Sequence, residues 1–176
     1  MPADGHLTGV AVTLTADQLS DICPRAPGAA LAPLNTILGR TRSITDRRAA
    51  MLIAQLAVRS RSFTRLEEED RARRSATVYF GRGWIQLTGL RRYRAAGAAL
   101  ALDLIERPEL VVPHNAEVTA WYWSAHRLHA FSDAGDVLGC ARAIDWTATR
   151  PRHLALLREI YERARRVLAG APGLAA

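Results

Sequence analysis

The stretch Tyr79 to Thr88, "YFGRGWIQLT", decides how the rest of the chain is read. Gly81 and Gly83 flank an arginine and let the backbone turn tightly, and a lone Gln86 then follows among aromatic and aliphatic side chains. In an extended segment Gln86 shares a face with Trp84 and Thr88. One reading is a short strand that ends at a helix, with Gln86 satisfying buried backbone. The other is a groove wall whose polar groups meet a polar, uncharged ligand.

Outward from this stretch the pattern is helical. "TADQLSDICP" reads as a helix capped by Thr15, with Asp17 in its first turn and Pro24 at its end. Leu31, Leu34, Ile37 and Leu38 mark a second helix over residues 29 to 38. "DRRAAMLIAQLAVRS" has an apolar face broad enough for a central, heavily packed helix. The charged "LEEEDRARRSATV" reads as a loop holding one helical turn. Helical spacing resumes in "TGLRRYRAAGAALALD", and a long helix begins near Asn115, placed to cap it. "DAGDVLGCARAID" is a short helix, and an amphipathic helix closes the chain. With neither repeat nor linker, residues 1–176 form one domain, mainly α, with a small extended element near residues 78–86.

At 176 residues and 49% hydrophobic, the chain can bury a core without disulfide or metal staples. Its formal charge of +7 rests on 24 arginines, since lysine does not occur. A positive surface favours polyanions such as nucleic acid, anionic lipid or an anionic cell-wall polymer. The runs at Arg71 to Arg74, Arg91 to Arg94 and Arg163 to Arg166 lack the interleaved aromatics of a single-strand binder, so solvated helix faces account for them better. No apolar run reaches the roughly 20 residues of a membrane helix, and "MPADGHLTGVAVTL" does not read as a secretory signal. The expected location is cytoplasmic at synthesis. Cys23 and Cys140 read as separate buried thiols, and His126 with His129 as polar residues near a helix end for want of a third ligand. No cofactor or metal is expected, and the chain is expected to be a monomer.

"YFGRGWIQLTGLRRYRAAGAALALDLIERPELV", with "AWYW" and "ARAID" after it, resembles glycoside hydrolase family 19, the family of chitinases and many cell-wall lysins. "TADQL", "PLN" and "AAMLIAQLAVRSRSF" fall in that family's order, so the resemblance runs from about residue 14 to 168. It implies a lysozyme-like, two-lobed helical fold with a cleft for β-1,4-linked N-acetylhexosamine polymers, chitin or peptidoglycan. It also implies that Gln86 bonds a sugar, that Thr88 helps hold the attacking water, and that Tyr79 and Trp84 line the cleft. The motif's tyrosine, Tyr93, falls on the substrate side, while Arg82 braces the site.

The family's inverting chemistry needs two carboxyl groups roughly 6.5–9.5 Å apart, one to protonate the leaving oxygen and one to activate water. Laid on the family's His-Glu-Ser/Thr-Gly-Gly-Phe motif, Val58 stands at the histidine, Arg59 at the acid, Ser60 at its hydroxyl neighbour, Arg61 and Ser62 at the glycines and Phe63 at the phenylalanine. A guanidinium has no proton to give near neutral pH. For the base, Glu67, Glu68, Glu69 and Asp70 are the nearby acids, and they read equally as a solvated, ion-paired face. Glu67 and Glu68 are the two carried forward. Arg92 replaces the family's asparagine before Tyr93, and "IDWT" replaces "INGG", putting Asp145 at an asparagine and Trp146 at a glycine. Asp145 can accept a bond from a sugar hydroxyl but lacks the amide's donor. The sequence thus points to a chitinase-like or endolysin-like domain, weakly active or inactive. A non-catalytic glycan-binding or scaffold descendant is one alternative, and a basic nucleic-acid-binding helical domain is the other.

Overall fold

The structure is a computed structural model that describes residues 9–145 and 151–170. Thr15 caps α1 (Ala16–Ile22) through a reciprocal box, its hydroxyl accepting from the Gln18 amide while the Gln18 side chain accepts from Thr15 N–H. A 3-10 turn leads into α2 (Leu31–Arg40), where the Asn35 side chain both donates to and accepts from the Leu14 backbone. That double bond pins the extended segment before α1 onto the helical body.

The central helix is α3 (Asp46–Arg59), capped by Thr45. Every residue from Ala49 to Ala57 is buried, as its broad apolar face predicts. Its main packing partner is the long C-terminal α9 (Pro151–Ala169), and Arg165 of α9 binds Asp46 in the first turn of α3 at 2.8 Å. Burying each of Leu52, Ile53 and Leu56 contributes about 1.5–3 kcal/mol, so α3 is the axis of the fold.

Between these lie α4 (Arg71–Ala76), α5 (Leu90–Leu100), α6 (Asn115–Ala125), α7 (His129–Ala134) and α8 (Val137–Ile144). Asp136 caps α8 by accepting from Gly139 N–H at 2.8 Å. α6 begins at Asn115 as expected, but Asn115 is not its cap. The Asn115 carbonyl oxygen is taken instead by Trp84 N–H at 2.7 Å and by the Thr119 hydroxyl at 3.3 Å. Cys23 and Cys140 are buried free thiols, and burial pushes them up to about 11 and about 12.

The extended element reduces, among the described residues, to two isolated antiparallel bridges, Glu67 with Arg82 and Arg82 with Leu87. Arg82 and Leu87 exchange both backbone hydrogen bonds, and Gln86 N–H donates to Gly83 O across a tight four-residue loop. Gly83 (φ 72°) and Gln86 (φ 56°) both adopt left-handed geometry there. A Cβ on Gly83 would stand 3.0 Å from Asn115 Oδ1, so glycine is required on space as well as on φ. The alternation of Trp84, Gln86 and Thr88 along one face is therefore not realised. None of the described helices is long and apolar enough to cross a membrane.

Candidate active site

A cleft of about 1050 Å³ opens where the C-terminal end of α3 meets the last turn of α8. The end of α1 and the first half of α9 line one side, and the loop after α3 with the Gln86 turn lines the other. Such a volume suits an extended oligomer better than a single small molecule.

Arg59, the last residue of α3, forms part of the lining. Its guanidinium donates to Gln55 Oε1 at 2.8 Å, to Gln55 O at 3.3 Å and to Ala141 O at 3.2 Å. Gln55, fully buried, donates in turn to Val137 O at 3.2 Å, so α3 is tied to both ends of α8. Burial pulls the Arg59 guanidinium below its ordinary value, while nearby Cys140, Asp145 and Tyr122 act in the opposite sense. Arg92 approaches the same helix end, donating to Ile144 O at 3.4 Å with its guanidinium 5.7 Å from the Tyr122 ring centre. The Tyr122 hydroxyl donates to that same Ile144 carbonyl at 3.2 Å, and burial raises its pKa, favouring the neutral phenol. Two cations at a helix C-terminus complement its dipole.

The four acids after α3 separate clearly. Glu67 pairs with Arg82 at 3.4 Å and with Arg74 at 3.5 Å, outside the cleft lining. Glu69 pairs with Arg61 at 3.0 Å and with Arg65. Glu68 and Asp70 line the cleft. Because Glu67 lies in the bridge with Arg82, its neighbour turns the other way. The Glu68 backbone amide is fixed by Gly81 O at 2.7 Å.

Gln86, Thr88 and Asp145 line the same cleft as Glu68. The Gln86 amide donates to Gly83 O at 2.8 Å and the Thr88 hydroxyl to Gln86 O at 2.8 Å, which steadies both side chains. Trp84, expected in the cleft wall, is only 4% exposed and packs edge-on against Phe63, beside a separate apolar pocket of about 490 Å³. The left-handed turn at Gly83 sends it away from Gln86. Tyr79 and Tyr93 are also outside the cleft lining. Tyr79 donates to Ile105 O at 3.1 Å and meets Tyr93 edge-on, while fully buried Tyr93 donates to Phe80 O at 2.7 Å. Arg82 braces them: it is buried, donates to Val78 O at 2.7 Å and to the Tyr93 hydroxyl at 3.0 Å, and stacks over Phe80.

Sequence reading missed Gln55 and the α9 wall. A buried glutamine inside an apolar helix was the available signal for Gln55. Ile160 and Arg163 of α9 reach the cleft only through long-range packing, and local pattern gave no sign of it. His126 stacks on Tyr122, whereas His129 bonds Thr41 O and Trp123, so the two do not converge. Among the described residues no cluster fit to hold a metal occurs. Trp146 lies outside the described residues.

The family model for class I chitinases of glycoside hydrolase family 19 matches residues 60–146. Chitinase 8 of Oryza sativa subsp. japonica is 41% identical over 59 residues, covering 32% of this chain and 23% of its own length. An endochitinase of Arabidopsis thaliana is 31% identical over 105 residues, covering 51% of this chain and 40% of its own. The matches thus span less than half the length of these relatives. Among solved structures, chitinase C from Streptomyces griseus superposes with a TM-score of 0.74 at 20% identity, over 93% of this chain and 80% of that one. The class IV family 19 chitinase from Zea mays does so with a TM-score of 0.70 at 17% identity, over 92% and 95%. The chain thus carries a glycoside hydrolase family 19-like, chitinase-like domain, matched to the family over residues 60–146, with the mainly helical fold of these solved structures.

Proposed function

We propose that this domain holds β-1,4-linked N-acetylhexosamine strands, of chitin or peptidoglycan, in the cleft and cleaves them weakly or not at all. The observation that carries this reading is Arg59: a guanidinium tied to Gln55 and Ala141 lines the cleft, and the sequence pattern lays this residue on the family's acid. An inverting glycosidase must protonate the leaving oxygen while a second carboxylate activates water. Glu68 is the carboxylate offered for the second task, with Thr88 and Gln86 in the same cleft to hold water and sugar. Without an acid, the expelled oxygen leaves as an alkoxide, and general acid help of typically ~100–10,000-fold is lost. Glu67 is assigned to the Arg82 brace and not to catalysis.

The test is binding and turnover on one preparation. Chitohexaose should bind saturably by calorimetry, and chromatography after prolonged incubation should recover it intact. Failure to bind chitohexaose or any peptidoglycan strand would overturn the proposal.

A further inference from the structure

Arg59 and Arg92 share an unusual circumstance. Both are half-buried in the cleft, and among the described residues both hydrogen-bond only uncharged oxygens: Gln55 and Ala141 for the first, Ile144 for the second. The other cleft arginines differ. Arg163 is paired with Glu159, Arg61 and Arg65 share Glu69, and Arg25 is exposed rather than half-buried. A guanidinium has five N–H donors, and the bonds in place use three on Arg59 and one on Arg92. Donors therefore remain on both.

The two cations converge on one place. Their anchors, Ala141 O and Ile144 O, are three residues apart and so adjoin on the last turn of α8. Tyr122 lies between, hydrogen-bonded to Ile144 O and electrostatically coupled to both arginines. Asp145 is the acid that acts on Arg59 there, which leaves one excess positive charge across the three groups. Two further cleft acids, Glu68 and Asp70, stand on the loop after α3, where a carboxylate disfavours a negative ligand group.

We infer that Arg59 and Arg92 together seat an acidic substituent, carboxylate or phosphate, carried by the hexosamine strand, so that the cleft selects an anionic glycan over neutral chitin. The inference rests on the glycan-binding reading above and adds its substrate class. Planar guanidinium forks match both oxyanions, and a partly desolvated site strengthens each charge-assisted bond. One such charge-assisted bond is enough for at least tenfold selectivity.

Three hexasaccharides of equal length test this by calorimetry at low salt: neutral chitohexaose, a strand alternating N-acetylglucosamine with N-acetylmuramic acid bearing free carboxylates, and a phosphorylated chitohexaose. At least one acidic strand should bind tenfold or more tightly than the neutral one, and the preferred arm identifies the oxyanion. Arg92→Gln should collapse that ratio to under threefold and Arg92→Lys should restore part of it, with melting temperatures recorded to exclude misfolding. Equal affinities, or tighter binding of chitohexaose, would overturn the acidic seat and leave glycan binding standing. If none of the three binds, both readings fall.

Discussion

The guanidinium of Arg59 lies 2.8 Å from the side-chain oxygen of Gln55, and the pair holds α3 against α8. Arg59 is thus part of the packing, and restoring a glutamate there is more than a change of chemistry. In Arg59→Glu the new carboxylate faces the Ala141 carbonyl, an acceptor without its donor, which costs about 1–3 kcal/mol. The nearby Arg92 cation keeps the carboxylate ionised, and an ionised group cannot serve as the acid. Arg59→Glu should melt lower than the parent and release no detectable reducing ends from chitohexaose.

Arg82 and Glu67 give a contrast in stability. Arg82 is buried, donates to Val78 O and the Tyr93 hydroxyl and stacks over Phe80, so Arg82→Ala removes two charge-assisted hydrogen bonds of about 1.5–3 kcal/mol each together with the packing of the stem. A loss of about 3–5 kcal/mol is expected, read as a fall in melting temperature on the order of 10 °C. Glu67 is substantially exposed, and Glu67→Gln should cost less than about 1 kcal/mol in the same assay.

Gly81 supports the cleft without lining it. A Cβ there would stand 2.7 Å from Gln86 Oε1 and 3.3 Å from Thr88 Oγ1, so Gly81→Ala must displace the end of the Gln86 side chain. Because only a part-exposed side-chain end and its bond to Gly83 O are disturbed, the melting temperature should change little. Calorimetric affinity for the preferred hexasaccharide should nevertheless fall roughly tenfold, as for one lost hydrogen bond.

His129 makes stability depend on pH. Its Nε2–H donates to Thr41 O at 2.8 Å and its Nδ1 accepts from Trp123 Nε1–H at 3.2 Å, which requires the neutral ring. Burial lowers its pKa from 6.5 to about 4. Between these values the unfolded chain binds more protons, so stability is full above pH 6.5 and falls as pH drops toward 4, by up to about 3 kcal/mol. Asp133, held below its ordinary value by Arg48, adds a loss of the same sign at more acidic pH. Denaturation from pH 7 to 4 should show this slope, and His129→Gln should flatten it.

The fold was legible where local chemistry determined it: the Thr15 cap, the helix beginning at Asp46 and its central, heavily packed place followed from residue type and spacing. The Gly81 to Thr88 segment misled because polar and apolar residues alternate with a strand's period, although Gly83 permits a left-handed turn that separates Trp84 from Gln86. Asn115 looked like a cap for the same kind of reason, since its distant acceptor role toward Trp84 cannot be read locally. Gln86, Thr88, Asp145 and Arg59, singled out through the family pattern, all line the cleft. Glu67 and Glu68 were inseparable as neighbours, and only the bridge to Arg82 assigns them opposite sides.

The most direct measurement is mass spectrometry of an oligosaccharide that calorimetry has shown to occupy the cleft. After days with the purified chain, the account predicts a single intact mass, with binding weakened by Gln86→Ala. Shorter products that appear with the parent chain and vanish with Gln86→Ala would contradict it, because a working proton donor would then exist in this cleft.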